Sequence, residues 1–209
     1  MAGKADQGDV LRQAARVNSV DKIKEQLSKG IDANAHFIGF TPLRLASMYG
    51  HKEACQMLLE ADARDDLHAA AARGDTEAME ELVAAGHGDP TLANRGGETA
   101  LMWASAGGHA EAIKLLLRVK ANVNARDQHG FTALMGASQG GHLDAMRTLL
   151  TARADVNAKE PEDSETALIM AEHNARNDAV ALLLECGAQR PDEPEGARSG
   201  TSATAKQSE

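Results

Sequence analysis

One phrase of eleven residues, returning at a nearly constant interval, constrains this chain more than any other feature. Thr41-Pro-Leu-Arg-Leu-Ala-Ser-Met-Tyr-Gly-His51 comes back as Thr99-Ala-Leu-Met-Trp-Ala-Ser-Ala-Gly-Gly-His109 and as Thr132-Ala-Leu-Met-Gly-Ala-Ser-Gln-Gly-Gly-His142. A looser copy opens at Thr166-Ala-Leu-Ile-Met-Ala171. The steps from Thr99 to Thr132 and from Thr132 to Thr166 are 33 and 34 residues. A second apolar group follows each copy: Ile113 with Leu116 and Leu117, Met146 with Leu149 and Leu150, Val180 with Leu183 and Leu184. That spacing is one stripe of a helix. A period of this length marks a supersecondary unit that buries its apolar stripe only against its neighbours.

The residue types suit their places in the unit. Thr caps a first helix, and Pro42 fits the first helical position, where its missing N–H would be unpaired anyway. Leu and Ala face the neighbouring unit, and Ala lets backbones approach. Gly50, Gly108 and Gly141 end the first helix, where a left-handed backbone is favoured. The slot that closes the second helix holds Gly30, Gly86 and Gly187, but Asp62, Lys120 and Arg153 in the other units. If that slot is left-handed, the three non-glycines cost about 1 kcal/mol each.

The pattern Thr-Pro-Leu-x-x-Ala-x-x-x-Gly-His, then Leu-Leu, then Ala-Asp-Val-Asn-Ala as at 154–158, resembles the ankyrin repeat over about residues 9–189. The resemblance implies an all-α solenoid of stacked helix-turn-helix units with β-hairpin-like finger loops. Six units are expected, near 9–38, 39–64, 65–96, 97–129, 130–163 and 164–189, after a short lead at 1–8. Two units are degraded. Leu11-Arg-Gln-Ala14, with Ile23 and Leu27, reads as an N-terminal unit with a polar outer face. Leu67-His-Ala-Ala70, with Met79 and Leu82, follows Leu43 after only 24 residues. About ten residues are therefore missing, and because Leu58-Leu59 is intact the loss falls on the finger loop. A notch is expected in the row of loops. Residues 190–209 are rich in Pro, Gly, Ser, Thr and charge, cannot bury enough apolar surface to fold, and are expected to form a disordered tail.

The resemblance implies a non-enzymatic module that binds a protein partner through its concave face, as adaptor, inhibitor or substrate receptor. The alternative is a structural unit packed permanently in a larger assembly. Fingertips and the exposed side of the first helices place candidate contacts at Phe37, Ile38, Phe40, Met48 and Tyr49. They continue at Arg73, Arg95, Glu98, Gln128, His129, Phe131, Gln139, Glu165 and His173. All three Phe and the one Tyr lie in this set, and exposed aromatics are the material of interface hot spots. The same aromatics could instead shield the finger. Trp103 sits one position inside, as contact or as packing, and Gly136 in the equivalent slot would give its indole room. Lys159-Glu-Pro-Glu-Asp-Ser-Glu165 is an acidic finger, either a solvated loop or a partner for Lys and Arg. The resemblance also implies a modification, since family fingers can be hydroxylated at asparagine. Asn157 follows Asp155-Val156 with Leu149 upstream, whereas Asn124 has Asn122 in the acidic place.

Other chemistries find little support. The net charge of −9 runs against nucleic acid and anionic membrane surfaces. No stretch suggests a secretory signal or a bilayer span, so the cytosol, with the nucleus as alternative, is the expected compartment, and a monomer the expected state. No cofactor is called for. His51, His109 and His142 occupy one slot in different units and read as turn-stabilising residues. No Cys/His spacing suits zinc, and no phosphate-cradling or nucleophile-elbow motif appears. Cys55 and Cys186 lie four units apart, about 40 Å at about 10 Å per layer, too far for a disulfide.

Overall fold

In the computed structural model, the described residues are 4–35, 40–162 and 164–190. They form twelve α-helices in six antiparallel pairs and no named strand. The pairs are α1 (Lys4–Arg16) with α2 (Val20–Ser28), α3 (Pro42–Met48) with α4 (Lys52–Glu60), and α5 (Leu67–Arg73) with α6 (Thr76–Ala84). They continue as α7 (Ala100–Ala106) with α8 (Ala110–Arg118), α9 (Ala133–Gly140) with α10 (Leu143–Thr151), and α11 (Ala167–His173) with α12 (Asn177–Glu185). Helix α1 is already formed at Lys4, so residues 4–8, expected as a lead, lengthen the first helix. Phe37, Ile38 and Asp163 lie outside the described residues, as does the tail beyond Arg190.

Helices of seven to nine residues are too short to persist alone in water, so caps and stacking carry them. Thr41, Thr99, Thr132 and Thr166 each accept a hydrogen bond from the backbone N–H three residues on. Asp66 and Asp75 do the same for α5 and α6. Odd-numbered helices pack on one another in sequence along the whole stack.

The Gly-Gly-His ending has a steric cause. His109 and His142 turn their rings back onto the preceding unit, placing Nε2 2.9 Å from the Ala72 carbonyl and 3.0 Å from the Ala106 carbonyl. His51 does the same to Arg16, at 2.9 Å. A Cβ on Gly140 would lie 2.3 Å from His142 Nε2, so the ring as placed lies where a larger residue would push it aside. Gly141 then takes the left-handed turn with φ 73°. The three histidines, read from their shared slot as turn-stabilising, are ties between units. In the last unit Arg176 fills the slot and donates from Nε to the Gln139 carbonyl at 3.2 Å.

Asparagines in the loops add a second tie. Asn34, Asn124 and Asn157 each donate from Nδ2 to the carbonyl of the next unit's helix-closing residue, Asp62, Arg153 and Gly187. Each also accepts on Oδ1 from the backbone N–H two residues further, at Arg64, Asp155 and Gln189. The helix-closing slot is left-handed throughout, including Asp62 (φ 58°), Lys120 (φ 68°) and Arg153 (φ 66°).

The shortened connection between α4 and α5 spans residues 61–66, against 119–132 between α8 and α9. At this place the apolar core divides into two clusters, one around Leu11, Ile23, Leu43 and Leu58 and the other running from Leu67 to Ala188. Even-numbered helices pack α2 on α4, and α6 through α8 and α10 to α12, with the weakest packing between α4 and α6. A polar network fills the seam instead. Arg73 pairs with Asp65, donating to Oδ1 at 3.1 Å and also to Oδ2, and reaches Ser47 Oγ at 3.1 Å. Arg44 Nη2 lies 2.7 Å from Asp66 Oδ2. Both cysteines are free, with Cys55 buried against Ser47 and Cys186 exposed.

Candidate functional site on the finger face

The missing finger opens a groove. Its volume is about 730 Å³, with Phe40, Arg44, Asp66 and His68 on one side and the fingers at 92–98 and 127–129 on the other. Hydrogen bonds join those two fingers into one wall. Asn94 N–H donates to the Glu98 carbonyl at 2.8 Å, Asp127 N–H to the Phe131 carbonyl at 3.1 Å, and Gln128 N–H to the Gly96 carbonyl at 3.0 Å. Gln128 Nε2 adds a bond to the Arg95 carbonyl at 2.6 Å. The β-hairpin-like fingers are thus turns closed by one or two backbone bonds, with a single bridge between Ala93 and Thr99 among the described residues.

Trp103 packs beneath Phe40, Arg44 and His68, which line the groove. It is only 7% exposed, with Phe40 stacked on it at 6.5 Å, His68 edge-on at 5.9 Å and the Arg44 guanidinium 5.6 Å from its ring. This is packing: the indole leans toward the units that lost their finger, not toward Gly136. The room at Gly136 is used by the Phe131 ring and by Ala106, 3.4 and 3.5 Å from where its Cβ would be. Burial lowers the His68 pKa, helped by the Arg44 charge and opposed by Asp66 and Glu98.

The other expected contacts divide. Met48 and Tyr49 are exposed at the end of α3, Tyr49 at 51% with its ring stacked on His51 at 6.1 Å. Phe40 and Phe131 are half-buried. Arg95, Gln128 and His129 form the exposed lip of the groove. Arg73 is turned away from solvent into its ion pairs with Asp65, which the shortened loop brings to it, and with Asp75, the cap of α6 two residues on. Gln139 and His173 are exposed at the far end, where His173 Nδ1 lies 3.6 Å from Glu165 Oε1. They are not part of the groove. Asn157 has both ends of its amide engaged by the next unit.

A second, smaller cavity of about 150 Å³ is lined in part by Trp103. Met48, Met102 and Phe131 give it apolar walls, and the Glu98 and Asp127 carboxylates border it as they border the groove. Arg44, His68, Asp66, Met102 and Asp127 were not among the expected site residues. The signal for the first three was the short 61–66 connection with its Asp65-Asp66 pair. Exposed Leu92, at 60%, also stands at the groove.

No group of three or more His, Cys, Asp or Glu that could hold a metal ion occurs among the described residues, and no helix there is long and apolar enough to cross a membrane. Comparison with known families matches residues 38–66 to the ankyrin repeat and residues 67–160 to a three-copy ankyrin repeat unit. Together these cover more than half of the 209 residues, and with the stacked helix pairs they show that the chain belongs to the ankyrin-repeat family.

Proposed function

We propose that this chain binds a partner protein through the concave face, centred on the groove that the missing finger leaves. Ankyrin repeats are in general protein–protein interaction modules; the particular face is our reading. The observation that carries it is the groove itself, about 730 Å³, lined by Phe40, Arg44 and His68 and by exposed Leu92, Gln128 and His129. An adaptor, inhibitor or substrate receptor would use such a face in the same way. Site-specific photo-crosslinking tests it. A photoreactive side chain at Tyr49, Leu92 or His129 should capture one and the same protein from cell extract. The same group at Gln56 or Thr151, on the second helices, should not. Capture from the second helices alone would reject the reading.

Permanent packing in a larger assembly is favoured by a different observation. The outer face of the first unit was expected to be polar, yet Val10 on α1 and Val17 in the turn after it are 40% and 62% exposed. Terminal repeats with apolar outer faces need covering. Concentration-dependent self-association that Val10→Ser/Val17→Ser abolishes would favour this second reading. Hydroxylation of Asn157 is a separate proposal, read by mass spectrometry of native material as one added oxygen atom.

A further inference from the structure

Resting on the concave-face reading, we propose that the partner inserts a basic side chain, Lys or Arg, into the 150 Å³ cavity beside Trp103. The size is right for one side chain: a protein cavity of about this volume holds a benzene-sized group. Met48, Met102 and Phe131 offer apolar walls for an aliphatic stem, with Trp103 behind them. At the border stand two carboxylates, Glu98 and Asp127, each half-buried.

Both carboxylates are positioned by the fingers. Glu98 accepts from Asn94 Nδ2 on Oε2 at 2.6 Å. Asp127 accepts the His129 and Phe131 backbone N–H groups on Oδ1, at 2.9 and 2.8 Å. Among the described residues neither has a cationic side chain within 4.0 Å, whereas Asp65, Asp66 and Asp75 in the neighbouring seam are all paired with arginine. Two partly desolvated negative charges held at an apolar opening are complementary to a cation on a long stem. A neutral aliphatic side chain would fill the walls and leave both charges facing it. Lys and Arg carry a three- or four-carbon stem that lies on apolar surface while the head stays polar. The tie between Gln128 and Gly96 holds the wall in place before anything binds, which lowers the cost of ordering on association.

The test uses the full chain and a random twelve-residue peptide library displayed on phage, selected in parallel on wild type and on Glu98→Gln/Asp127→Asn. Both replacements are isosteric and keep the oxygen that accepts the Asn94 or backbone N–H, so the turns persist; circular dichroism confirms folding. The selected peptides should carry Lys or Arg at one fixed position and shift the Met48 and Met102 methyl resonances. The paired variant should bind them about tenfold more weakly or worse. Peptides that shift those methyls but show no basic preference, or keep their affinity for the variant, overturn the basic anchor and leave the concave face standing. Selected peptides that bind elsewhere, or none at all, overturn both.

Discussion

Arg73 at the end of α5 pairs with Asp65 in the shortened connection between α4 and α5 and reaches Ser47 on α3, at the place where the apolar core divides into two clusters. The Arg73 and Asp65 side chains are largely buried, at 12% and 17% exposure. Arg73→Ala would strand Asp65 without its partner and should cost about 3 kcal/mol. The loss should appear as uncoupling: in urea the part containing α1–α4 would unfold before the rest. Cys55 reports this directly, because burial raises its thiol pKa and hides it from reagents. Alkylation of Cys55 in the folded variant should speed up, while exposed Cys186 reacts at an unchanged rate. A single transition and unchanged Cys55 kinetics would count against the seam.

The asparagine ties make a prediction about many weak links. Asn124 and Asn157 each bond to a carbonyl and an N–H of the next unit. Asn124→Ala or Asn157→Ala removes both bonds at once and should cost about 1–2 kcal/mol. Asn124→Ala sits mid-stack and should lower the main unfolding transition. Asn157→Ala should chiefly loosen the last helix pair, seen as faster amide exchange over α11 and α12. Equal protection in wild type and variant would show the bonds to be incidental.

The periodic part of the molecule was legible in advance, because each periodic residue answers a local demand that recurs. Thr132 caps because a helix starts there, and Gly141 is left-handed because that helix ends there. The finger deletion was also readable as a length, and the connection between α4 and α5 is the short one, at 61–66. Its consequences were not readable, since they depend on which side chains meet after the loop is removed. Arg73 sits at a position that faces solvent in a regular unit, but here Asp65 is close enough to claim it. Trp103 was open between contact and packing, and Phe40 and Arg44 pack over it. Gly136 looked like room for the indole and is room for Phe131 instead.

Two partly buried histidines set a pH dependence. Burial lowers the pKa of His109 and of His68 below the ordinary value of 6.5. The Ala72 carbonyl opposes this at His109, with Lys52 and His142 adding to it. The folded state therefore binds these protons less readily than the unfolded chain. Stability is fully present above the unfolded pKa and falls as the pH drops from about 6.5 through the folded values. The urea midpoint should be lower at about pH 5 than at about pH 8. His109→Gln, which keeps a donor toward Ala72, should flatten that slope. An unchanged slope in a double variant with His68→Gln would remove these two groups as its source.

Lys120 and Arg153 close their helices with φ of 68° and 66°, where Gly30, Gly86 and Gly187 serve in other units. The backbone there brings a Cβ against the following carbonyl, at about 1 kcal/mol per residue relative to glycine. Both side chains are exposed, and the tie that Asn124 makes at Arg153 uses the backbone carbonyl, which glycine retains. Lys120→Gly and Arg153→Gly should therefore each raise stability by up to about 1 kcal/mol, against the usual loss on introducing glycine. Their sites are one unit apart and share no side-chain partner, so the double variant should be close to additive. Thermal unfolding of the two single variants and the double measures this. A lower midpoint in either single variant would mean that the stem of Lys120 or Arg153 packs on the second-helix surface more strongly than the strained backbone resists it.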